Sequence, residues 1–175
     1  MFKIRASSVI QRLTDLMKKT EAEFSSLGIN DIIEDVIGLI HSDLIIKNIS
    51  FSKQLTKKLP EVKGDRVQLQ QVFLNVIINA TDSMKESREK NLHVSTAKHG
   101  AESIIICVKD SGSGFDPKEK DNLFEPFFTT KKEGMGMGLS ITKRIIKAHY
   151  GDIWVENNKE GGASVFMTLP VYEKN

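Results

Sequence analysis

Apolar residues near the start of the chain recur at Phe2, Ala6, Val9, Leu13 and Leu16, at spacings of four, three, four and three. That is a heptad seam, and Ile10 and Met17 widen it into a helix-packing face. Barely two heptads cannot make an independent coiled coil. The seam is either the tail of a longer helix, one arm of a helical dimer, or an amphipathic helix packed on its own domain. Ser25-Ser26-Leu27-Gly28 reads as a break. Asn30 or Asp31 can then cap a second helix with an apolar stripe of Ile32, Ile33, Val36, Ile37, Leu39 and Ile40. Ile49, Phe51 and Leu55 alternate with polar residues as a half-buried strand does, and Pro60 and Gly64 punctuate the next loop.

Asp65 can cap a long helix whose apolar positions are Val67, Leu69, Val72, Phe73, Val76, Ile77, Ala80 and Met84. Two strand-like runs follow at 92–97 and 103–109, then a stretch rich in glycine and charge at 110–138, too long for a mere connector. Residues 139–150 are helical in pattern and stop at Gly151, which reads as a C-cap. Two more strands, 153–156 and 164–171, flank a turn at Gly161-Gly162. Strands joined directly by turns are antiparallel, which predicts an α+β fold: a two-layer sandwich with helices on one face of the sheet.

The 175 residues suffice for one domain and a short appendage. Lysine and arginine number 25 against 23 acidic residues, a net charge of +2, which gives no case for nucleic-acid or membrane binding. Cys107 is the sole cysteine, so a disulfide framework and a thiolate metal cluster are both excluded; its apolar run makes it a small buried hydrophobe. No apolar run approaches the roughly 20 residues that span a bilayer, and the N-terminus lacks a signal-peptide core. The expected location is the cytoplasm, with a membrane-anchored parent protein left open.

Asn75 and Asn79 lie four residues apart, on one face of an otherwise apolar helix. Amides in such surroundings need partners, so they either meet a ligand, cap neighbouring backbone or face solvent. Asp110-Ser111-Gly112-Ser113-Gly114 follows an apolar strand directly. A strand-end carboxylate in an apolar pocket can accept from an exocyclic amine such as that of adenine, and the glycines permit close backbone approach. Alone the pattern is a common surface turn. Gly134-Met135-Gly136-Met137-Gly138-Leu139 leads into a helix, where backbone N–H groups and the helix dipole can meet phosphate oxygens. No Gly-Lys-Ser/Thr follows it and no parallel βαβ unit precedes it, so it is neither a Walker loop nor a dinucleotide fingerprint. Between the glycine clusters, Phe124, Phe127 and Phe128 mark either a flap able to close over a ligand or a satellite hydrophobic cluster.

In this order the motifs resemble the catalytic domain of two-component sensor histidine kinases, within the superfamily shared with DNA gyrase and the heat-shock chaperones. Residues 65–84 look like the N box, 110–114 the first glycine box, 124–131 the F box and 134–139 the second glycine box. The Phe-Phe-Thr-Thr-Lys flap looks closest to the nitrogen-regulation and oxygen-sensing subgroup. The resemblance implies an ATP-binding domain over 27–172, a histidine kinase ATPase fold of mixed sheet and helices, with Mg²⁺ as the second cofactor. It places the Asn79 oxygen on Mg²⁺ and Asn75 near phosphate and metal. Asp110 would read adenine, with Gly112 and Gly114 shaping the pocket. Lys131 and the backbone of Gly134, Met135, Gly136, Met137, Gly138 and Leu139 would meet the phosphates. Asp82, Thr129, Thr130 and Ala163 complete the implied nucleotide contacts, Ala163 standing where many relatives carry a threonine.

Hydrolysing superfamily members resemble one another in a glutamate at position 75, and asparagine cannot take a proton from water. The implied reaction is therefore phosphoryl transfer to a histidine. None of His41, His93, His99 and His149 stands in the family's phosphoacceptor setting, and all four read as structural or solvent-exposed. Residues 1–23 resemble the end of the second helix of a dimerisation hairpin. The expectation is a piece that begins after the acceptor helix, with that hairpin and a response regulator receiver domain as partners and a possible homodimer through 1–23. A serine kinase or ATPase of the superfamily and a non-catalytic nucleotide-binding module are the competing readings.

Overall fold

The structure, a computed structural model, describes residues 22–129 and 136–172. The heptad seam of 1–21 lies outside the described residues, as do Thr130, Lys131, Gly134 and Met135. The elements in chain order are β1 (Ser25–Leu27), α1 (Ile29–Ile46), β2 (Ser50–Leu55), β3 (Val62–Gly64), α2 (Arg66–Ser83), β4 (Asn91–His99), β5 (Ser103–Asp110), a 3₁₀ turn (Pro117–Asn122), α3 (Gly138–Ala148), β6 (Asp152–Asn157) and β7 (Ala163–Pro170). The main sheet runs β2-β4-β5-β7-β6, and β1 pairs with β3 in a separate two-stranded ribbon.

Alternation along β5 sets the core. Ile104, Ile106 and Val108 are at most 1% exposed and face the helices, flanked in register by Val94 and Thr96 on β4 and by Leu169, Met167 and Val165 on β7. Ile32, Ile33 and Val36 of α1, Leu69, Val72, Phe73, Val76 and Ile77 of α2, and Ile145 and Ile146 of α3 belong to the same core. Two residues past Val108 the same alternation delivers Asp110 to the helix side, where it is 5% exposed.

Several expectations need correction. Residues 25–27 are a strand rather than a break, held by β3, itself expected as loop; each has three residues, too short for alternation to show. The main sheet is mixed, as the resemblance implies: β2 pairs with β4 in parallel, because α2 crosses between them and returns the chain to the same end of the sheet. Gly28, not Asn30 or Asp31, is the N-cap of α1, with no side-chain hydrogen bond. Asn30 is engaged elsewhere: its Nδ2 donates to the Thr56 carbonyl at 3.0 Å, and its Oδ1 accepts from the Thr96 hydroxyl at 2.9 Å. Leu39 is 65% exposed, so the α1 stripe is narrower than its sequence suggests. Cys107 is only half-buried, on the sheet face turned from the helices. Asp65 caps α2 as expected, accepting from the Gln68 N–H at 3.0 Å.

Gly151 is not the left-handed cap of α3. Tyr150 takes that conformation at φ +59°, and the Gly151 N–H donates to the Ile146 carbonyl at 2.9 Å. Glycine is needed at 151 for space, since a Cβ there would lie 2.1 Å from the Thr168 carbonyl oxygen of β7. Beside it His149 is 1% exposed. Its Nδ1 donates to the Ile145 carbonyl at 2.8 Å, its Nε2 accepts from the Asp65 N–H at 3.0 Å, and its ring stacks on Phe24 at 4.8 Å. The start of α2 and the end of α3 are thereby joined through one imidazole. Gly151→Ala should lower stability by about 2 kcal/mol or more through this overlap. Tyr150→Gly should raise it by about 1 kcal/mol by relieving a left-handed backbone. Urea unfolding of the two variants measures both.

Candidate functional site

Three segments converge on Asp110. Its Oδ1 accepts from the Gly112 N–H at 2.8 Å, the Ser83 hydroxyl at 3.0 Å and the Ala163 N–H at 3.4 Å. The Ser83 oxygen is also 2.8 Å from the Ala80 carbonyl, so its single proton is shared between two acceptors. Donors from the end of α2, from the loop and from β7 thus fix one oxygen of a buried carboxylate. The glycines make the convergence possible. A Cβ on Gly112 would fall 2.1 Å from the Ser83 hydroxyl, and one on Gly162 (φ +80°) would fall 2.1 Å from the Asp110 carbonyl oxygen. Only Gly114 of the 110–114 pair uses positive φ, at +68°.

Four and eight residues before Ser83, α2 presents its amides to α3. Asn75 Nδ2 donates to the Gly138 carbonyl at 3.4 Å, an oxygen that also accepts from the buried Thr142 hydroxyl at 2.8 Å. The backbone-capping reading of Asn75 is therefore right in part. At Gly138 a Cβ would meet Asn79, 3.4 Å from its Nδ2 and 3.9 Å from its Oδ1, so glycine leaves a space beside that amide. Asn75 and Asn79 are both half-buried. Asp82, also half-buried, lies 3.8 Å from the Lys85 ammonium. Met137 stands just before α3 and Leu139 within its first turn, half-buried.

The phenylalanines divide. Phe124 and Phe128 are half-buried, with the Lys143 ammonium 5.5 Å from the Phe124 ring centre. Phe127 is 73% exposed at φ +66°. Its N–H donates to the Gly136 carbonyl at 3.0 Å, and a Cβ on Gly136 would fall 2.5 Å from the Phe128 carbonyl oxygen. Thr129 is exposed. The implied contacts at Thr130, Lys131, Gly134 and Met135 lie outside the described residues.

The remaining reactive side chains stand apart. Burial pushes the Cys107 thiol above its usual range, which disfavours a nucleophilic role. His41 and His99 are exposed, the His93 ring is 2.8 Å from the Ser52 hydroxyl, and His149 sits at the opposite ends of α2 and α3 from Ser83 and Gly138. Among the described residues no helix is long and apolar enough to cross a membrane.

Sequence reasoning missed Ser83, Asn158 and Ser164, which complete the surroundings of Asp110, and Asn157, which pairs with Phe115 at the far end of the loop. Asn158 Nδ2 donates to the Asp110 carbonyl at 3.0 Å, and the Ser164 hydroxyl donates to Asn158 Oδ1 at 2.7 Å. The available signal was two asparagines ahead of the Gly161-Gly162 turn. A backbone brace from that turn to residue 110 is invisible without the β5–β7 register.

The family model for histidine kinase-, DNA gyrase B- and HSP90-like ATPases matches residues 64–173. The sensor protein FixL of Bradyrhizobium diazoefficiens is 38% identical over 98% of this chain, and the signal transduction histidine-protein kinase AtoS of Escherichia coli is 31% identical over 94%. The chain spans only 34% and 27% of the length of those two proteins. The nucleotide-free catalytic domain of histidine kinase ThkA superposes with a TM-score of 0.77 at 30% identity, covering 85% of this chain and 96% of that one. ThkA in complex with the response regulator protein TrrA gives a TM-score of 0.77 at 26% identity, over 96% of this chain and 48% of that one.

Gly162→Ala should cost about 2 kcal/mol or more, because the overlap is with backbone. At Gly161 (φ +97°), where a Cβ would meet nothing within 4 Å, alanine should cost only backbone strain. Unfolding midpoints of the two variants separate the cases.

Proposed function

Because this chain belongs to the histidine kinase-, DNA gyrase B- and HSP90-like ATPase family, we propose that it is the ATP-binding catalytic domain of a sensor histidine kinase. It transfers the γ-phosphoryl group to a histidine on a dimerisation helix outside this chain, in two-component signalling. The observation that carries the reading is the buried Asp110 carboxylate, held through one oxygen by three donors at the end of an apolar strand. A carboxylate so fixed suits an exocyclic amine at adenine N6, as the resemblance requires.

The phosphates then belong between α2 and the N-terminus of α3, where the helix dipole favours negative charge. Mg²⁺ would be held there by the Asn79 amide oxygen, which Gly138, lacking a Cβ, leaves uncrowded from the α3 side. Mg²⁺ bound there would neutralise charge developing on the transferred group. Asn75 supports transfer over hydrolysis, since an amide holds a hydrogen bond but accepts no proton from water. Positioning and charge neutralisation are the main demands of phosphoryl transfer, and an imidazole acceptor asks little of a base. Lys131 and the backbone of residues 134–138 supply the remaining phosphate contacts in this reading.

The partners follow from the same chemistry: the parent's own phosphoacceptor hairpin, with residues 1–23 as the end of its second helix and a homodimer through it, and a receiver domain that takes the phosphoryl group. That ThkA was solved with a response regulator supports the second partner. A domain doing this work resides in the cytoplasm, whether or not its parent is anchored in a membrane.

Incubation with Mg²⁺-ATP and a supplied acceptor hairpin should yield acid-labile phosphate on the hairpin's histidine, and none without the hairpin. Acid-stable phosphate on serine would instead favour a serine kinase, and binding without transfer a non-catalytic module. In calorimetry Asp110→Ala should weaken ATP binding about a hundredfold, and Asn79→Ala should weaken the Mg²⁺-dependent part of it; unchanged dissociation constants would refute these two roles.

A further inference from the structure

The first glycine loop is held at both ends by consecutive side chains that lie outside every recognised motif. At its start, Asn158 links the Asp110 carbonyl to the Ser164 hydroxyl, at 3.0 and 2.7 Å. At its end, Asn157 and Phe115 exchange two hydrogen bonds: the Phe115 N–H donates to Asn157 Oδ1 at 3.0 Å, and Asn157 Nδ2 donates to the Phe115 carbonyl at 2.7 Å. A primary amide presents a donor and an acceptor side by side, as a peptide group does, so Asn157 pairs with the loop backbone as a strand would. Gly114 makes room for this, since a Cβ there would lie 2.6 Å from Asn157 Oδ1.

The turn carrying the asparagines is itself closed. The Asn158 N–H donates to the Gly162 carbonyl at 2.9 Å, and the Gly161 N–H donates to the Asn158 carbonyl at 3.2 Å. Through Ala163 the same turn donates to Asp110 Oδ1 at 3.4 Å. Residue 110 is thus gripped through carbonyl and carboxylate together, and residue 115 through both of its backbone groups. The phosphate side of the site is built from other elements, α2 and the start of α3.

We propose that Asn157 and Asn158 are positioning residues for adenine recognition: they fix the 110–115 loop, and with it the Asp110 carboxylate, without a part in holding the phosphates. This deepens the nucleotide-binding reading of the preceding subsection and rests on it. Removing either amide frees one end of a loop that must present a carboxylate and glycine backbone to a flat base. The loss falls on recognition of the base.

The test compares Mg²⁺-ATP with Mg²⁺-ITP, which carries a carbonyl in place of the adenine amine, by competition against a fluorescent ATP analogue. Wild type is measured beside Asn157→Ala, Asn158→Ala, Asn157→Asp and Asn158→Asp in the full chain. The aspartates keep the shape and the accepting oxygen but lose the donor, so they carry the test if an alanine variant fails to fold. ATP affinity should fall about tenfold in each variant with ITP affinity unchanged, shrinking the preference for adenine by the same factor. Unchanged ATP affinity in the variants would overturn the proposal, and so would equal weakening toward both nucleotides, the mark of a general loosening. Wild type that binds neither nucleotide would sink the nucleotide reading itself, a failure distinguishable from the other two.

Discussion

Burying a carboxylate is the constraint around which the rest of the site is organised. Asp110 reaches the interior because strand alternation carries it there behind Ile104, Ile106 and Val108, and its desolvation must be offset by donors. Each comes from a different part of the chain: Ser83 from the end of α2, Gly112 from the loop, Ala163 from β7. Helix, loop and sheet are thereby brought within one side chain's reach. The same requirement explains the glycines at 112 and 162, where side chains would occupy the space the donors and backbone already fill.

The fold was legible where periodicity is long. The stripe of α2, its Asp65 cap and the alternating runs of β4, β5 and β7 could be read directly, because each repeats its pattern over several turns or pleats. The ribbon of β1 and β3 could not, since three residues contain no period. That the sheet is mixed came from the resemblance alone, and which strands pair in parallel, β2 with β4, was not legible in the local pattern. Local pattern identifies strands, but the direction of pairing depends on what crosses between them. Asn30 illustrates competition: a residue with good capping chemistry was drawn into a tertiary bond with Thr96 instead.

Within the site, residues with a motif were legible and residues with only a position were not. Asp110, Gly112, Gly114, Asn75 and Asn79 announced themselves by spacing and by polarity in apolar surroundings. Ser83 and the Asn157-Asn158 pair did not, as their significance comes from the register of β7 on β5 and from how closely the β6–β7 turn approaches residue 110. Gly151 was noticed for a reason that proved wrong. It serves proximity to Thr168, while the exposed Tyr150 carries the left-handed backbone. A glycine after a helix can thus be selected by what lies opposite it as much as by its own dihedral angles.

Among the described residues the helices cover one face of the sheet, and the other face carries a half-buried aromatic pair, Trp154 on β6 and Phe166 on β7, stacked at 5.3 Å. The indole N–H donates to Glu156 at 3.1 Å, and Trp154 is the sole tryptophan of the chain. All indole emission therefore arises from a single place, three residues before Asn157 on the strand that leads into the β6–β7 turn. The protein carries its own optical gauge, with no second indole to confuse it, mounted beside the segment that frames the site.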